Sequence, residues 1–198
     1  MNLLAHAYLS FKDPEILVGN MISDYVKGKK KFTYPTRIQQ GIALHRRIDE
    51  FTDEHLTNRE LKLIFKPYYG LYASPIIDVI HDHFLANDNN IFAGEDGLKD
   101  FSEEVYESLD PFQQLFPDRF ARMFPYMRKQ DWLFHYRYME GVRSSLGGLQ
   151  RRASYLTEMN TAFRLLQENY ETLKAGYNEF FPQLEEMSNS EFNATNDS

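Results

Sequence analysis

The sequence predicts an all-α fold in a single compact domain. Apolar residues recur every three or four positions along nearly the whole chain, which is the period of an amphipathic helix. The sequence lacks the strict apolar–polar alternation of half-buried strands, and it has no internal repeat. Its 198 residues are 42% hydrophobic and 15% aromatic, which is enough to fill the core of one globular domain.

Start and stop signals divide this pattern into helices. The first two are expected over 2–10 and 14–26, and Lys27–Gly28 closes the second. Pro35 marks the start of the third helix, because proline is favoured in a first helical turn. The apolar stripe of that helix consists of Ile38, Ile42, Leu44, Ile48 and Phe51.

The remaining helices follow from the same signals. A helix over 57–67 is interrupted by Pro67, and the next one has Ser74 as its N-cap and Pro75 at its first position. Four more are expected over 97–109, 112–125, 130–146 and 149–180. Prolines break the second of these four into pieces, and Gly147–Gly148 end the third.

The C-terminal residues are more polar than the rest of the chain. The segment "EMSNSEFNATNDS" offers few apolar residues to pack against a core. We therefore expect one helical domain over 1–182, followed by a frayed tail over 183–198.

Composition limits the classes of function. There are no cysteines, so a metal must be held by His, Asp or Glu. The net charge of −7 argues against a general nucleic-acid binder. No signal peptide is recognisable, and no segment approaches the roughly 18 apolar residues of a membrane span. We expect a cytoplasmic protein that binds neither nucleic acid nor membrane.

Polar residues interrupt the apolar faces of four helical segments. The stretch "GIALHRRIDEFTDEHL" carries His45, Asp49 and Asp53 four residues apart, so the three share one face of a helix. The other three segments contribute His6, the pair Asn20 and Asp24, and the set Asp78, His81, Asp82 and His83. Imidazole and carboxylate together suit a cation such as manganese, iron or zinc.

Each of these residues also has an ordinary structural explanation. His6 alone suits a core histidine with one hydrogen bond, and Asp49 and Asp53 suit surface ion pairs. Asp78 suits the first turn of a helix. His81 and His135 are interpreted as structural or surface residues. A shared site is favoured because four segments carry such sets together. The sequence also lacks the motifs of other kinds of site: a phosphate-binding glycine loop, HExxH, Glu-x-x-His, a GxSxG elbow and a cysteine nucleophile.

Four ordered motifs resemble the acyl carrier protein phosphodiesterase family. They are "MNLLAHAYLS", "GNMISDYVKG", "GIALHRRIDEFTDEH" and "DVIHDHFL", and the later "HYRYMEGV" also fits. The resemblance covers the chain to about residue 180. The positions that match are His6, Asn20, Asp24, His45, Arg46, Asp49, Asp53, Asp78, Asp82 and His83. Position 81 is usually aromatic in the family, and Leu56 stands where proline is common.

The resemblance implies a fold distantly similar to the HD-domain phosphohydrolases and a divalent cation, usually manganese. It also implies hydrolysis of the 4′-phosphopantetheine group from the serine of holo-acyl carrier protein. We expect the metal ligands to be Asp24, His45, Asp82, His83 and His6. The further catalytic or supporting residues are then Arg46, Asp49, Asp53 and Asp78.

A basic segment follows one of these expected ligands directly. Lys27, Lys29, Lys30 and Lys31 come just after Asp24. Acyl carrier proteins are small and acidic as a class, so we expect this segment and Asn20 to contact the phosphate or the protein substrate. A solvated basic turn explains the segment equally well.

Two other functions stay open at this point. The same metal site is compatible with a nucleotide or another small phosphodiester as substrate, because a fold does not fix a substrate. A non-catalytic helical protein that binds acyl carrier protein is also compatible, with the polar helix faces acting as structural networks.

Overall fold

The computed structural model describes residues 1–153, 156 and 158–195, and within them all regular structure is helical. The α-helices are α1 (Leu3–Tyr8), α2 (Pro14–Ile22), α3 (Thr36–Glu54), α4 (Leu56–Tyr69), α5 (Ala73–Ala86), α6 (Gly94–Leu109), α7 (Asp118–Lys129), α8 (Trp132–His135), α9 (Met139–Arg152), α10 (Asn160–Glu168) and α11 (Tyr170–Ala194). Short 3-10 turns lie at Ser23–Tyr25, Gly28–Thr33, Gly70–Tyr72 and Asp110–Leu115. The all-α prediction is confirmed, whereas the likeness to HD-domain proteins stays a prediction.

Helices α2 and α3 pack closely against each other. A Cβ atom added at Gly19 would lie 2.2 Å from the carbonyl oxygen of Ile38, and one added at Gly41 would lie 2.3 Å from that of Ile16. The two glycines therefore face each other where the helices cross, and a side chain at either position would push the helices apart. This crossing positions Asn20 on α2 beside His45 on α3.

Helix α2 has a side-chain cap at its N-terminus. The side chain of Asp13 accepts hydrogen bonds from the backbone N–H groups of Glu15 and Ile16 at the start of α2, and Pro14 occupies the first turn. The α-helix ends at Ile22 and gives way to the 3-10 turn that carries Asp24.

The predicted helix boundaries are wrong at several prolines and glycines. Helix α4 continues through Pro67 to Tyr69 and is followed by Gly70, whose φ is 55°. The region predicted as one helix over 130–146 is divided: Asp131 adopts a left-handed conformation before α8, and residues 136–138 separate α8 from α9. Gly147 and Gly148 lie inside α9 and do not end it.

The C-terminal helix runs well beyond the predicted end of the domain. Instead of a frayed tail from 183, α11 continues through Pro182 to Ala194, with Leu184 and Ser188 fully buried. Tyr177, Phe180, Phe181 and Leu184 are spaced at helical intervals and pack into the core, which offsets the hydrogen bond lost at Pro182. Residues 196–198 of the predicted tail lie outside the described residues.

No helix within these described residues combines the length and apolar character needed to cross a bilayer.

Candidate metal centre and active site

Two buried imidazoles lie face to face between α1 and α3. The rings of His6 and His45 have centroids 3.9 Å apart and are tilted by 16°. Only 3% of His6 and 6% of His45 is exposed. Two stacked imidazoles in a core are costly unless their nitrogens find partners, so the hydrogen bonds of each ring are informative.

Asn20 fixes the orientation of both rings. Its side-chain amide donates to the backbone oxygen of His6 and to Ser10 Oγ, at 2.8 Å and 3.1 Å, so its Oδ1 accepts from His6 Nδ1 at 2.8 Å. The backbone oxygen of Asn20 accepts from His45 Nδ1, also at 2.8 Å. Both rings therefore carry a proton on Nδ1, and both direct Nε2 away from Asn20.

Two aspartates converge on these Nε2 atoms. Asp49, one helical turn after His45, places one carboxylate oxygen 3.2 Å from His6 Nε2 and the other 3.1 Å from His45 Nε2. Asp24 Oδ1 lies 3.3 Å from His45 Nε2. The Asp24 side chain is 71% exposed, so the cluster opens to solvent on the side of Asp24.

Burial and the two carboxylates control the charge of the cluster. Burial lowers the pKa of His45, but the neighbouring carboxylates of Asp24 and Asp49 outweigh it and raise this pKa to about 9. Burial and the neighbouring charge of His45 lower the pKa of His6 to about 4. The adjacent imidazole of His45 keeps the pKa of Asp24 below its ordinary value. The cluster therefore holds one positive charge between carboxylates.

This arrangement fits a divalent cation. One donor atom each from His6, His45 and Asp49 lies within 4.8 Å of the others. Neither His6 Nε2 nor His45 Nε2 has a hydrogen bond in the described part of the chain, although both atoms are buried. Two orphaned imidazole nitrogens beside two carboxylates form the mixed donor set that manganese, iron or zinc takes. His6, His45 and Asp49 would hold the ion, with Asp24 at its exposed side.

An ammonium group and Asp78 lie behind Asp49. The α-ammonium of Met1 is 3.4 Å from Asp49 Oδ1 and 3.2 Å from Asp78 Oδ1. Burial lowers the pKa of this ammonium, but Asp78 and Asp49 raise it to about 10. Burial opposes ionisation of Asp49, yet the ammonium and the two imidazoles bring the pKa of Asp49 far below its ordinary value. The carboxylate of Asp49 is therefore ionised and oriented. The sequence pattern gave no signal of this ammonium.

Comparison with known proteins identifies the family of the chain. The family model for acyl carrier protein phosphodiesterase matches residues 1–184. The chain belongs to the acyl carrier protein phosphodiesterase family. It is 30% identical over 184 residues to the acyl carrier protein phosphodiesterase of Enterobacter sp. (strain 638), which covers 93% of this chain and 95% of the relative. It is 28% identical over 193 residues to that of Photorhabdus laumondii, covering 97% and 98%. No solved structure matched the chain.

The structure gives Asp82 a different place from the one that the family resemblance implied. Its Oδ2 accepts from the N–H of Leu4 at 2.7 Å, and its Oδ1 accepts from the N–H groups of Asn2 and Ala5, both at 3.3 Å. Asp82 thus caps the first turn of α1, the helix that carries His6. It is not among the converging donors, and it supports the site through α1. Burial raises its pKa to about 7 despite these N–H donors.

His83 also lies away from the cluster. Its Nδ1 is 2.8 Å from the backbone oxygen of Tyr136, and its Nε2 is 3.0 Å from the Tyr170 hydroxyl. Adjacent residues of a helix point about 100° apart, so Asp82 faces α1 while His83 faces the C-terminal helices. The expected ligand pair Asp82–His83 is therefore not brought to His45. His81, interpreted as structural, lies 2.8 Å from Asn58 Oδ1 through its Nε2.

Asp53 and Arg46 lie on the exposed side of α3. Asp53 forms an ion pair with Lys62 at 2.6 Å and has a 60% exposed side chain, so it does not join the site. Arg46 donates through Nη2 to the backbone oxygen of Val26 at 3.2 Å, which ties α3 to the turn that carries Asp24. A catalytic role for Arg46 stays a prediction.

The basic segment lies next to the open side of the cluster. Lys27, Lys29 and Lys30 are exposed, and Lys31 places its ammonium 4.9 Å from the centre of the Phe32 ring. None of the four lysines forms an ion pair within residues 1–153, 156 and 158–195. The Phe32 ring is itself 64% exposed, so the segment presents both charge and apolar surface.

Proposed function

We propose that this chain is a metal-dependent phosphodiesterase that hydrolyses the 4′-phosphopantetheine group from the serine of holo-acyl carrier protein. Membership of the family supports the reaction and the substrate. The observation that carries the proposal is the pair of orphaned Nε2 atoms of His6 and His45, which meet Asp49 and Asp24 at a solvent-facing opening. We propose Mn²⁺ as the cation.

The division of roles follows from burial. A bound cation polarises a phosphoryl oxygen and lowers the pKa of a bound water. His6 and His45 are held rigidly by Asn20, so they act as fixed donors. Asp49 is fixed by both imidazoles and by the Met1 ammonium, and its charge offsets positive charge at the cluster.

Asp24 is the residue that handles protons in this proposal. It is the most exposed of the four side chains, and its carboxylate is kept ionised beside His45. An ionised carboxylate accepts a proton from an attacking water and returns it to the departing serine oxygen. Arg46 and Lys27 lie on the same side and neutralise the charge of the phosphodiester.

The test is a mass-spectrometric assay with purified protein, Mn²⁺ and holo-acyl carrier protein. The expected products are apo-acyl carrier protein and 4′-phosphopantetheine, and EDTA should stop their formation. Turnover of small phosphodiesters without loss of the prosthetic group would instead indicate the broader phosphohydrolase. Binding of acyl carrier protein without any hydrolysis would indicate the non-catalytic alternative.

Charge reversal in the basic segment is expected to weaken recognition of the protein substrate. We predict that Lys29→Glu with Lys30→Glu raises KM for holo-acyl carrier protein roughly tenfold, because exposed charges steer association between oppositely charged surfaces. The increase should shrink at high salt, where these charges are screened. Steady-state kinetics at two salt concentrations measures both effects.

The matched control is Arg59→Glu with Lys174→Glu, which changes the net charge equally at exposed positions of α4 and α11. It should leave KM within about twofold. An unchanged KM in the lysine double variant would refute docking through this segment.

A further inference from the structure

Helix α7 presents a basic stripe that the site does not use. Arg119, Arg122, Tyr126 and Lys129 are all exposed and are spaced by three or four residues. At about 100° per residue, these four side chains lie within a narrow arc on one side of α7. The opposite side carries Phe120, Phe124 and Met127, which are buried in the core. The stripe is therefore a continuous outer face, with one aromatic ring among three positive charges.

The three cations of this stripe have no carboxylate partner in the part of the chain that the structure describes. Arg128, on a different side of α7, does have one, since it pairs with Asp110. The sequence contains no acidic residue from Arg119 to Gln130, although the net charge of the whole chain is −7. A set of like charges on one helix face costs repulsion, which a negatively charged partner relieves.

The position of α7 relates this stripe to the active-site opening. Tyr25 follows Asp24, and its hydroxyl donates to Met123 Sδ at 3.5 Å. The ring of Tyr25 also packs on Phe120, with centroids 5.7 Å apart. Met123 lies four residues after Arg119 and three before Tyr126, so it borders the stripe. The helix that carries the stripe therefore packs against the turn that carries Asp24.

The basic segment Lys27–Lys31 follows Tyr25 in the chain, so two basic surfaces meet at the residue beside Asp24. The segment from Tyr25 to Ile48 also lacks acidic residues. An acidic partner whose modified serine reaches Asp24 would thus meet positive charge both at the lysines and along α7. An α-helix with carboxylates on successive turns has the spacing that matches Arg119, Arg122 and Lys129.

We propose that the outer face of α7 is a docking surface for an acidic helix of the carrier protein, with Arg119, Arg122 and Lys129 pairing with its carboxylates and Tyr126 packing on its apolar side. This inference rests on the proposed function, because it takes the carrier protein as the substrate. In this proposal the docking surface comprises both the lysine segment and α7, and the acidic helix of the partner lies along α7.

The test uses two double variants. One carries Arg119→Glu and Arg122→Glu together, and the matched control carries Arg59→Glu and Lys174→Glu together. The affinity for apo-acyl carrier protein is measured by calorimetry, which requires no hydrolysis. We expect Kd to rise roughly tenfold in the α7 variant at low salt and much less at high salt, and to stay within about twofold in the control. Turnover of bis(p-nitrophenyl) phosphate, which has no protein surface to dock, should be unchanged.

Loss of affinity with Lys29→Glu and Lys30→Glu but not with the α7 variant would confine docking to the lysine segment and overturn the inference. If the charge reversals impair folding, as judged by circular dichroism, Arg119→Ala with Arg122→Ala replaces them, and an unchanged Kd then overturns the inference equally. Failure of the wild-type protein to release phosphopantetheine would refute the proposed function, whereas the calorimetric result depends on docking alone.

Discussion

Replacing His45 with alanine is expected to remove both the bound metal and the hydrolysis of holo-acyl carrier protein. His45 Nε2 faces Asp24 at 3.3 Å and Asp49 at 3.1 Å, so its loss leaves these carboxylates without the imidazole between them. Because a bound cation contributes several kcal/mol of transition-state stabilisation, we expect kcat/KM to fall by roughly 10³-fold or more. Elemental analysis of the purified protein and the mass-spectrometric assay measure the two effects.

His135→Ala is the matched control, since it removes an exposed imidazole whose Nδ1 lies 2.9 Å from the backbone oxygen of Asp131. It should keep the metal content and the activity of the wild-type protein. Loss of activity in His45→Ala with unchanged metal content would show that the imidazole acts on the substrate directly. Unchanged values of both would refute a catalytic cluster at this position.

The sequence pattern singled out residues that lie close together in the structure, but it did not indicate which of them contact one another. His6, Asn20, Asp24, His45 and Asp49 form one cluster, and the four-residue spacing of His45 and Asp49 places that pair on one face of α3. The expected role of His83 as a metal ligand required its side chain to point toward His45, and the residue spacing along α5 does not determine where that side chain points. Sequence shows which residues share a helix face, whereas the rotation of α5 about its axis is set by packing against α1 and α9.

Asp49 illustrates the same limit within a helix. Its spacing from His45 suggested a supporting residue, since Asp49 lies one turn beyond the imidazole. The stacking of His6 on His45 brings a second Nε2 within 3.2 Å of that carboxylate, so Asp49 joins His6 and His45 as a donor of the candidate metal site. A contact between α1 and α3 is not visible in either segment alone.

At several helix boundaries, tertiary packing outweighs the local sequence signals for a helix end. Pro67 and Pro125 predicted breaks, yet both lie inside helices of the structure, as does Pro182. A proline removes one hydrogen bond, whereas the buried aromatic side chains around it each contribute a few kcal/mol. The buried apolar stripes of α4, α7 and α11 therefore carry these helices through their prolines.

The closely packed crossing of α2 and α3 leads to the second large effect. We predict that Gly41→Ala destabilises the protein by about 3 kcal/mol, because overpacking at a fixed backbone contact costs this much. The added Cβ would lie 2.3 Å from the oxygen of Ile16 and 2.9 Å from its Cα, and neither backbone atom moves without separating the helices. For a domain of this size, the melting temperature should fall by roughly 10 °C. Thermal unfolding followed by circular dichroism measures the change.

Gly148→Ala is the control for this substitution, and it is expected to act in the opposite direction. Among the described residues, a Cβ at Gly148, inside α9, meets Arg151 Nη2 at an ordinary contact distance of 3.7 Å, so alanine gains about 1 kcal/mol of helix propensity. Gly41→Ala should also weaken metal binding at temperatures where the protein is still folded. Separation of α2 from α3 lengthens the 2.8 Å contact between the backbone oxygen of Asn20 and His45 Nδ1, which sets the direction of Nε2. A stable Gly41→Ala variant with full metal affinity would show that the crossing does not position the site.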